Sequence, residues 1–420
     1  MTEEKKFKLA AKTLVLHPYL PLDEADPTYK LEEAIGLANA INLNIDRGLI
    51  VSVKEPKPDS FFGGGKVSEL ADYIKANEIQ LVYVNCKLAP IQQSNLEKAW
   101  NCKVIDRSGL ILEIFGARAA TREGSLQVEL AALDYQKSRL IRSWTHLERQ
   151  RGGFGFLGGP GETQLELDKR MINGRMAKIR KELQKVVKTR ELHRKPRRDV
   201  PYLIVALAGY TNAGKSTLFN RLTGAKVMAE DMLFATLDPT MRAIKLPSGR
   251  KCILSDTVGF ISDLPHELVA AFRATLEEVS EADIILHVRD ISAPETKLQK
   301  RNVEQVLEEL VDKKKLQDNC FEVLNKIDLL EGKKPVATSN TLPISALSGQ
   351  GVPELLKWLD NKISENNETI EYKIAYANGA ALAWLYAHGK VEKRKDLKAH
   401  IKITVNISAD NAARYEKLFE

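Results

Sequence analysis

The chain has 420 residues, more than one hydrophobic core ordinarily serves, so we expect two to four domains. Its composition, 44% hydrophobic and 28% charged, is typical of a globular protein. No apolar run approaches the roughly 18 residues of a membrane span, and the first residues lack a signal-peptide core. Four scattered cysteines without a CxxC pair argue against a zinc site or a disulfide framework and fit the reducing cytoplasm, where we expect a monomer.

Residues 1–119 alternate strand and helix patterns, which predicts a parallel sheet with helices on its faces. The strand patterns lie at Thr13–His17, Leu49–Val53, Leu81–Asn85 and Val104–Asp106, and the helical patterns lie near Leu31–Ile41, Val67–Ala76, Ile91–Trp100 and Leu110–Ala119. The run Gly63-Gly64-Gly65-Lys66 opens one helix and could hold an anion. A flexible turn has more weight, because no Ser or Thr metal ligand follows the lysine.

Residues 120–200 predict an antiparallel helical hairpin whose two apolar stripes close on each other. The stripes follow 4-3 spacing through Leu126, Leu130, Leu133, Leu140, Trp144 and Leu147 in the first arm and Leu165, Ile172, Met176, Ile179, Leu183 and Val186 in the second. Residues 164–200 hold thirteen Lys or Arg against five Asp or Glu, a balance of +8, so with a net charge of +7 the rest of the chain is close to neutral. The basic residues lie mostly off the stripe and indicate either a polyanion, such as nucleic acid, or a solvated helix face.

A loop with six glycines, two phenylalanines and two arginines joins the two arms. Such glycine density resists both a core and a helix. Exposed aromatic and guanidinium groups on a hairpin tip are typical of stacking contacts with RNA bases. We therefore predict RNA contacts for Arg149, Arg151, Phe154 and Phe156, with a plain connector as the alternative.

Residues 201–366 begin with a phosphate-loop motif. The pattern GxxxxGKS follows the apolar run Tyr202–Ala208 and precedes a helical pattern, as the strand–loop–helix unit requires. We predict nucleotide contacts for Gly209, Tyr210, Thr211, Asn212, Ala213, Gly214, Lys215, Ser216 and Thr217. Lys215 can reach the β- and γ-phosphates, and Ser216 can ligate Mg²⁺.

Two downstream segments have the spacing of switch loops. In the segment Phe234, Ala235, Thr236, Leu237 and Asp238, a threonine can close on Mg²⁺ and the γ-phosphate; Thr236 is our choice and Thr240 the alternative. In the segment Asp256, Thr257, Val258 and Gly259, the carboxylate can hold Mg²⁺ through water and the glycine N–H can sense the γ-phosphate.

The base is predicted to be guanine. Asn325, Lys326 and Asp328 form an NKxD motif, whose carboxylate can accept two hydrogen bonds from guanine but not from adenine. Ser345, Ala346 and Leu347 follow a strand pattern and offer an N–H to the guanine O6. The substrate is therefore expected to be GTP with Mg²⁺.

Hydrolysis needs an oriented water and charge compensation on the γ-phosphate, for which we predict catalytic roles of Lys215, Thr236, Gly259 and Asn212. Many GTPases carry glutamine after DxxG, but this chain has Phe260, so we expect slow intrinsic turnover and help from a partner. Asn212 resembles the phosphate-loop asparagine of potassium-activated GTPases, which makes K⁺ a possible cofactor. A loop asparagine that bonds its own backbone is an equal alternative.

The tail, residues 367–420, reads as a small α+β unit of unknown role, with strand, helix (Ala380–His388), strand (Ile401–Ile407) and helix (Ala409–Leu418) patterns.

These motifs together resemble the HflX family of translational GTPases. The matching residues are Asp106-Arg107, Glu113–Phe115, Arg118–Gly124, Leu126–Leu130, Gly158–Glu166, Gly209–Thr217, Phe234–Thr240, Asp256–Phe260 and Leu264–Glu278. The resemblance implies an N-terminal parallel α/β domain (1–119), a helical-hairpin linker (120–200), a P-loop GTPase domain (201–366) and a small α+β C-terminal domain (367–420). The chain departs from the family at Gly63–Lys66, where some members bind ATP, and at Arg289, where an apolar residue is usual.

The resemblance also implies a partner and a task. The partner is the large ribosomal subunit and its rRNA, with the hairpin loop approaching the peptidyl-transferase region, and the task is to split or rescue stalled ribosomes. The residues leave other functions open: a GTPase switch in ribosome assembly or tRNA modification, a regulatory module with negligible turnover, or an ATP-driven RNA remodeller working through the N-terminal domain.

Overall fold

The structure, a computed structural model, describes residues 11–21, 23–150, 160–198, 203–225, 233–234, 236–237, 239–262, 278–332, 335–365, 367–397 and 399–419. It has the multidomain α/β architecture that the sequence predicts, with three separate sheets. Among the helices in these ranges, none is long and apolar enough to cross a membrane. The predicted domain boundaries stay predictions.

The N-terminal part is a four-stranded parallel sheet with helices on both faces. Its elements are β1 (Lys12–Tyr19), α1 (Pro27–Asn39), β2 (Asn44–Ser52), α2 (Gly64–Ala76), β3 (Leu81–Val84), α3 (Pro90–Trp100), β4 (Lys103–Asp106) and α4 (Arg107–Arg118), in the sheet order β2-β1-β3-β4. Among the strands of this sheet, β2 begins well before its predicted start, because its first residues, Asn44–Arg47, are largely polar and show no strand pattern. Helix α1 also begins four residues before the predicted Leu31. Helices α2 and α3 cover one core, and α1 and α4 contribute to another on the opposite face.

Two long helices, α5 (Arg122–Gln150) and α6 (Pro160–Arg198), form the hairpin. They run antiparallel, because Glu129 of α5 pairs with Arg175 of α6 at 2.6 Å while the earlier Arg122 pairs with the later Glu182 at 3.3 Å. The predicted seam residues Leu126, Met176 and Ile179 are buried. Basic side chains of α6 are exposed, as predicted: Arg170, Lys178, Arg180, Lys181 and Lys188. The loop with Arg151, Phe154 and Phe156, and the side chain of Arg149, lie outside the described residues.

A second face of α5, which the sequence pattern did not reveal, fixes the hairpin to the N-terminal domain. Val128 and Ala131 are buried in the core shared with α1 and α4. The fully buried carboxylate of Asp106 accepts hydrogen bonds from the Tyr135 hydroxyl at 2.6 Å and from Arg139 at 2.7 Å. The same carboxylate also caps α4 by accepting from the backbone N–H of Gly109. The hairpin is therefore not closed on itself alone.

The GTPase part is a six-stranded sheet in the order β10-β9-β8-β5-β7-β6, in which only β6 is antiparallel to its neighbour. Its elements are β5 (Ile204–Gly209), α7 (Lys215–Thr223), β6 (Thr240–Lys245), β7 (Lys251–Asp256), β8 (Ile284–Asp290), α8 (Thr296–Leu310), α9 (Lys313–Asn319), β9 (Cys320–Asn325), β10 (Thr341–Pro343) and α10 (Val352–Glu365). The predicted motifs follow the carboxyl ends of β5, β7, β9 and β10. They therefore meet at one edge of the sheet, where α/β proteins bind ligands.

One hydrophobic cluster joins the N-terminal and GTPase parts. Phe115 of α4 meets Phe234 edge to face, with ring centroids 4.8 Å apart, and Leu237, Val258 and Phe260 are buried in the same cluster. Segments from both predicted switch loops are thus packed against α1 and α4.

The C-terminal part is an antiparallel sheet in the order β11-β13-β12 with helices α11 and α12 against it. Its elements are β11 (Asn367–Ala375), α11 (Gly379–His388), β12 (Lys390–Asp396), β13 (His400–Ser408) and α12 (Ala409–Phe419). The sequence did not predict β12, because this edge strand is almost entirely charged and shows no apolar alternation.

The attachment of α5 to Asp106, here called the Asp106 anchor, can be tested with Tyr135→Phe. This substitution removes a hydroxyl that is bonded to the buried carboxylate of Asp106. We expect the free energy of local opening, measured by hydrogen exchange of amides 128–139, to fall by about 2 kcal/mol. Tyr376→Phe is the matched control, because its exposed hydroxyl donates to the backbone carbonyl of Leu397 in the C-terminal domain, and it should leave exchange in α5 unchanged. Equal protection of α5 in both variants would contradict the anchor.

Candidate nucleotide site

The phosphate loop after β5 has the backbone that its glycines allow. Gly209 and Gly214 have positive φ, at 155° and 90°. A Cβ would meet the Val288 carbonyl oxygen at 2.2 Å in the first case and Asn325 Nδ2 at 2.1 Å in the second, so both positions require glycine. Asn212, at φ 58°, is exposed at the tip of the loop.

Lys215 begins α7 and is buried under this loop. Its ammonium donates to the carbonyl oxygens of Gly209 at 3.1 Å and Tyr210 at 2.8 Å. Burial lowers the pKa of Lys215 to about 8, and the carboxylate of Asp256 acts against that shift. The charge is therefore held inside the loop, where a phosphate chain would meet it. Thr217 lies half-buried in the first turn of the same helix.

The three predicted metal ligands lie together. The Ser216 hydroxyl donates to Asp256 Oδ2 at 2.7 Å, Thr236 donates to the same oxygen at 3.0 Å, and the two hydroxyls are 2.8 Å apart. Burial raises the pKa of the Asp256 carboxyl, which these hydrogen bonds oppose. The second oxygen, Oδ1, is buried and has no partner among the described residues. Two hydroxyls and a carboxylate with a spare oxygen are hard ligands that fit Mg²⁺, directly or through water.

Thr240, the alternative switch threonine, begins β6 and pairs with Asp256 in the sheet register, whereas Thr236 reaches the hydroxyl–carboxylate cluster. The side chains of Phe234 and Leu237 are buried in the interdomain cluster, so only their backbones are available to a ligand. Ala235 and Asp238 lie outside the described residues.

Among the predicted base-binding residues, Asn325 and Lys326 bond to other residues of the protein, whereas Asp328 presents an exposed carboxylate. Buried Asn325 donates to the Ala213 carbonyl at 2.8 Å and accepts from the Ala346 N–H at 2.8 Å, so it ties the phosphate loop to the segment after β10. Lys326 pairs with Asp290 at 2.8 Å. Asp328 is exposed in a 3₁₀ turn, where its carboxylate is accessible to a base. Ser345 is fully buried and Leu347 is 73% exposed.

The segment after β7 lies directly against the phosphate loop. A Cβ on Gly259 would meet Thr211 Cα at 2.9 Å and Lys215 Nζ at 3.0 Å. The Thr211 N–H donates to the Phe260 carbonyl at 2.7 Å, and the Phe260 N–H donates to the Gly209 carbonyl at 3.0 Å. The Thr257 hydroxyl donates to the Leu207 carbonyl, and Val258 is buried, so both have structural roles here. Phe260 turns its ring into the interdomain core, where it is 3% exposed.

Sequence reasoning missed a buried polar network beneath this site. The Tyr210 hydroxyl donates to Glu33 of α1 at 2.5 Å and accepts from the Ser262 N–H at 2.9 Å. Arg107 of α4 donates to Glu33 at 2.7 Å and to the Ser262 carbonyl at 2.9 Å. Burial and the Glu33 carboxylate raise the pKa of Tyr210 well above its usual value. Tyr210 was predicted to contact nucleotide, but its side chain leaves the loop and joins the N-terminal domain.

The two departures from the family pattern have local explanations. Arg289 of β8 pairs with Glu322 on the neighbouring strand β9, and Lys300 pairs with the same carboxylate. Arg289, Lys300 and Glu322 thus form a cluster of ion pairs. At the glycine run, Gly63 caps α2 and Lys66 pairs with Glu69 at 2.6 Å.

The site unites a phosphate loop, two switch segments and a guanine-type NKxD motif at one edge of a mostly parallel sheet, which defines the class as a P-loop GTPase. Comparison with protein-family models agrees with this class along the chain. The matching models are described as GTP-binding GTPase N-terminal (residues 28–116), GTP-binding GTPase middle region (118–197), 50S ribosome-binding GTPase (204–326) and HflX C-terminal domain (331–419).

Relatives define the family. A GTPase HflX from Magnetococcus marinus is 52% identical over 86% of this chain and 84% of its own length. The GTPase HflX of Escherichia coli K12 is 43% identical over the same shares of each chain, 86% and 84%. The chain therefore belongs to the HflX family of ribosome-binding GTPases and is a GTP hydrolase, which confirms the predicted family, fold class and enzyme class.

A solved structure of a GTP-binding protein from the archaeon Sulfolobus solfataricus, in complex with GDP, has 23% identity and a TM-score of 0.45, with 84% of this chain and 99% of that chain covered. This level of similarity is too low to transfer individual contacts.

The two switch threonines can be separated by substitution. Thr236→Ala removes a hydroxyl from the cluster with Ser216 and Asp256, so we expect activity and Mg²⁺ affinity to fall about 10- to 100-fold. Thr240→Ala is the matched control. Its activity and Mg²⁺ affinity should stay within about twofold of the wild type, because losses of about 10- to 100-fold are expected only for residues of the metal cluster, and Thr240 lies in β6. The measurement is GTP turnover against Mg²⁺ concentration, with GDP binding as the check on folding. A larger loss in Thr240→Ala would reverse the assignment.

Proposed function

We propose that this chain is a Mg²⁺-dependent GTPase that binds the rRNA of the large ribosomal subunit and splits or rescues stalled ribosomes. Its intrinsic hydrolysis is slow and the ribosome stimulates it. The observation that carries the proposal is the exposed basic face of α6. Helix α6 packs on α5, and Asp106 in turn fixes α5 to the N-terminal domain. A charged face on a supported arm suits the phosphates of RNA. The match to a 50S ribosome-binding GTPase model supports the same partner.

Slow intrinsic turnover follows from Phe260. Its ring is packed in the interdomain core, and the segment offers no polar side chain at the position that orients water in many GTPases. Lys215 supplies positive charge inside the phosphate loop, but hydrolysis also needs an oriented water as the nucleophile. A ribosomal group would supply the missing orientation.

The remaining roles fall on residues around the loop. Ser216, Thr236 and Asp256 would hold Mg²⁺, which supplies charge neutralisation between the phosphates when bound. Gly259 offers its N–H to the γ-phosphate, and Asp328 accepts from guanine. Asn212 is exposed at the loop tip, in reach of a K⁺ ion that would share the charge compensation.

Co-sedimentation with separated subunits tests the partner, using a GTP analogue, GDP and no nucleotide. We expect binding to the large subunit, strongest with the analogue, and single-turnover hydrolysis at least about tenfold faster with that subunit than without it. Equal rates with and without subunits would contradict the role given to Phe260. Equal rates of hydrolysis in K⁺ and Na⁺ buffers would contradict the role proposed for K⁺ beside Asn212. Association only with assembly intermediates or tRNA would favour the alternative switch in assembly or tRNA modification.

The hairpin tip has its own test. Replacing Gly152–Gly161 with a glycine–serine segment of equal length removes Phe154 and Phe156 but keeps the connection. We expect GTP binding to be retained and ribosome splitting, followed by light scattering, to be lost, because stacking contributes about 1–3 kcal/mol per base. Splitting at the wild-type rate would refute the assigned RNA contacts.

A further inference from the structure

The C-terminal sheet has one face covered and one face open. Helices α11 and α12 pack on the side that carries Tyr372, Ile374, Ile403 and Val405, all of them buried. Because side chains alternate along a strand, the residues between them lie on the opposite side. There Lys373, Lys393 and Lys395 are exposed, and Lys402 is 37% exposed.

Lysines form a row across this open face. The register places Lys402 of the central strand β13 opposite Lys373 of β11 on one side and opposite Lys395 of β12 on the other. Lys393 follows in the next row, opposite Thr404. Like charges directly opposite each other destabilise an antiparallel pair. This row of lysines therefore lowers the stability of the sheet.

One carboxylate relieves part of the repulsion. Glu371 of β11 pairs with Lys402 at 2.7 Å. For Lys373, Lys393 and Lys395, no ion pair is recorded among the described residues of the chain. On β12, Glu392 is the extra residue of a bulge and has no residue opposite it on β13, and Asp396 is bonded to Arg394 in the register of the covered side. His400, half-buried at the end of the same face, adds no negative charge.

We propose that this lysine face, defined by Lys373, Lys393, Lys395 and Lys402, binds the phosphate backbone of RNA. This rests on the proposed ribosomal function and gives the C-terminal domain a second RNA contact, separate from the hairpin. Lysine acts as a point charge toward phosphate and needs no fixed geometry, which suits a row of flexible side chains on a flat sheet. Thr404 stands beside the row and adds a hydroxyl that can hydrogen-bond to phosphate or ribose.

The composition of the face favours RNA over an acidic protein. Protein interfaces have a buried core enriched in aromatic residues, Met and Arg, and depleted in Lys. The largest apolar residue on the open side of the described strands is Ala375, and the cations are all lysines. Interfaces with nucleic acids are more polar and more positive than those with proteins. No Phe, Tyr or Trp lies on the open side of the described strands, which predicts contact with the backbone rather than with bases.

The test uses the full chain with Lys373→Glu and Lys395→Glu together, and Lys373→Gln with Lys395→Gln as a version that only removes charge. The matched control reverses two exposed lysines elsewhere, Lys314→Glu with Lys417→Glu. Both test variants should melt no lower than the wild type, because repulsion with Lys402 is removed. The basic arm α6 is unchanged in all four proteins.

The probe is a double-stranded RNA of unrelated sequence, with affinity measured by anisotropy across a range of salt concentrations. We expect the test variants to bind RNA at least about tenfold more weakly than the wild type at low salt. The slope of log K against log salt concentration should become smaller in magnitude by roughly one to two. The control should behave like the wild type. Test variants that match the control would overturn the proposal. Unchanged RNA binding with weakened binding to polyglutamate would identify an acidic protein as the occupant and also overturn it.

Sedimentation with large subunits separates this proposal from the proposed function. Weaker binding of the test variants, with the control unaffected, supports both. Equal subunit binding by wild type and test variants overturns the lysine face and leaves the function standing. Failure of the wild type to bind subunits, with RNA binding still dependent on Lys373 and Lys395, overturns the function and leaves the lysine face standing.

Discussion

The buried ion pair between Arg107 and Glu33 is the interaction on which the arrangement of the molecule depends. Arg107 is 3% exposed and Glu33 is 7% exposed, and burial of such charges is costly unless each is fully paired. Further partners come from the GTPase domain: the hydroxyl of Tyr210 in the phosphate loop donates to Glu33, and the carbonyl of Ser262 after the second switch accepts from Arg107. The nucleotide loops thus satisfy charges that belong to the N-terminal domain.

The ion pair is linked to the hairpin because Arg107 directly follows Asp106 in the chain. Asp106, next to Arg107, holds Tyr135 and Arg139 of α5. Leaving a buried donor without its acceptor costs about 1–3 kcal/mol, so movement of Ser262 away from Arg107 is costly unless Arg107 follows it or finds another acceptor. The hydrophobic contact of Phe115 with Phe234 imposes the same condition on the first switch. The nucleotide loops and the anchor of the hairpin are therefore joined through two consecutive residues, Asp106 and Arg107.

What the sequence predicted well was local. Strand and helix periods placed β1, β3 and β4 within one or two residues, and the motif spacings placed Ser216 and Asp256 in one cluster. What it missed depends on pairs distant in sequence. Tyr210 looks like a loop residue because nothing in its neighbourhood marks Glu33, 177 positions away, as its acceptor. The second face of α5 was hidden because its polar members, Tyr135 and Arg139, read as solvent-facing until Asp106 is placed beneath them.

The tail shows the same limit for charge. Residues 367–420 hold nine Lys or Arg and seven Asp or Glu, so composition describes a nearly neutral segment. Pairing of β11, β13 and β12 sorts these charges by face: Arg394 and Asp396 fall on the helix side, whereas Lys373, Lys402 and Lys395 align on the other. A one-residue shift of β12 would move Lys395 to the covered side and break the row, because side chains alternate with a period of two. The basic face is therefore a property of the register, and the bulge between Val391 and Lys393 helps to set it.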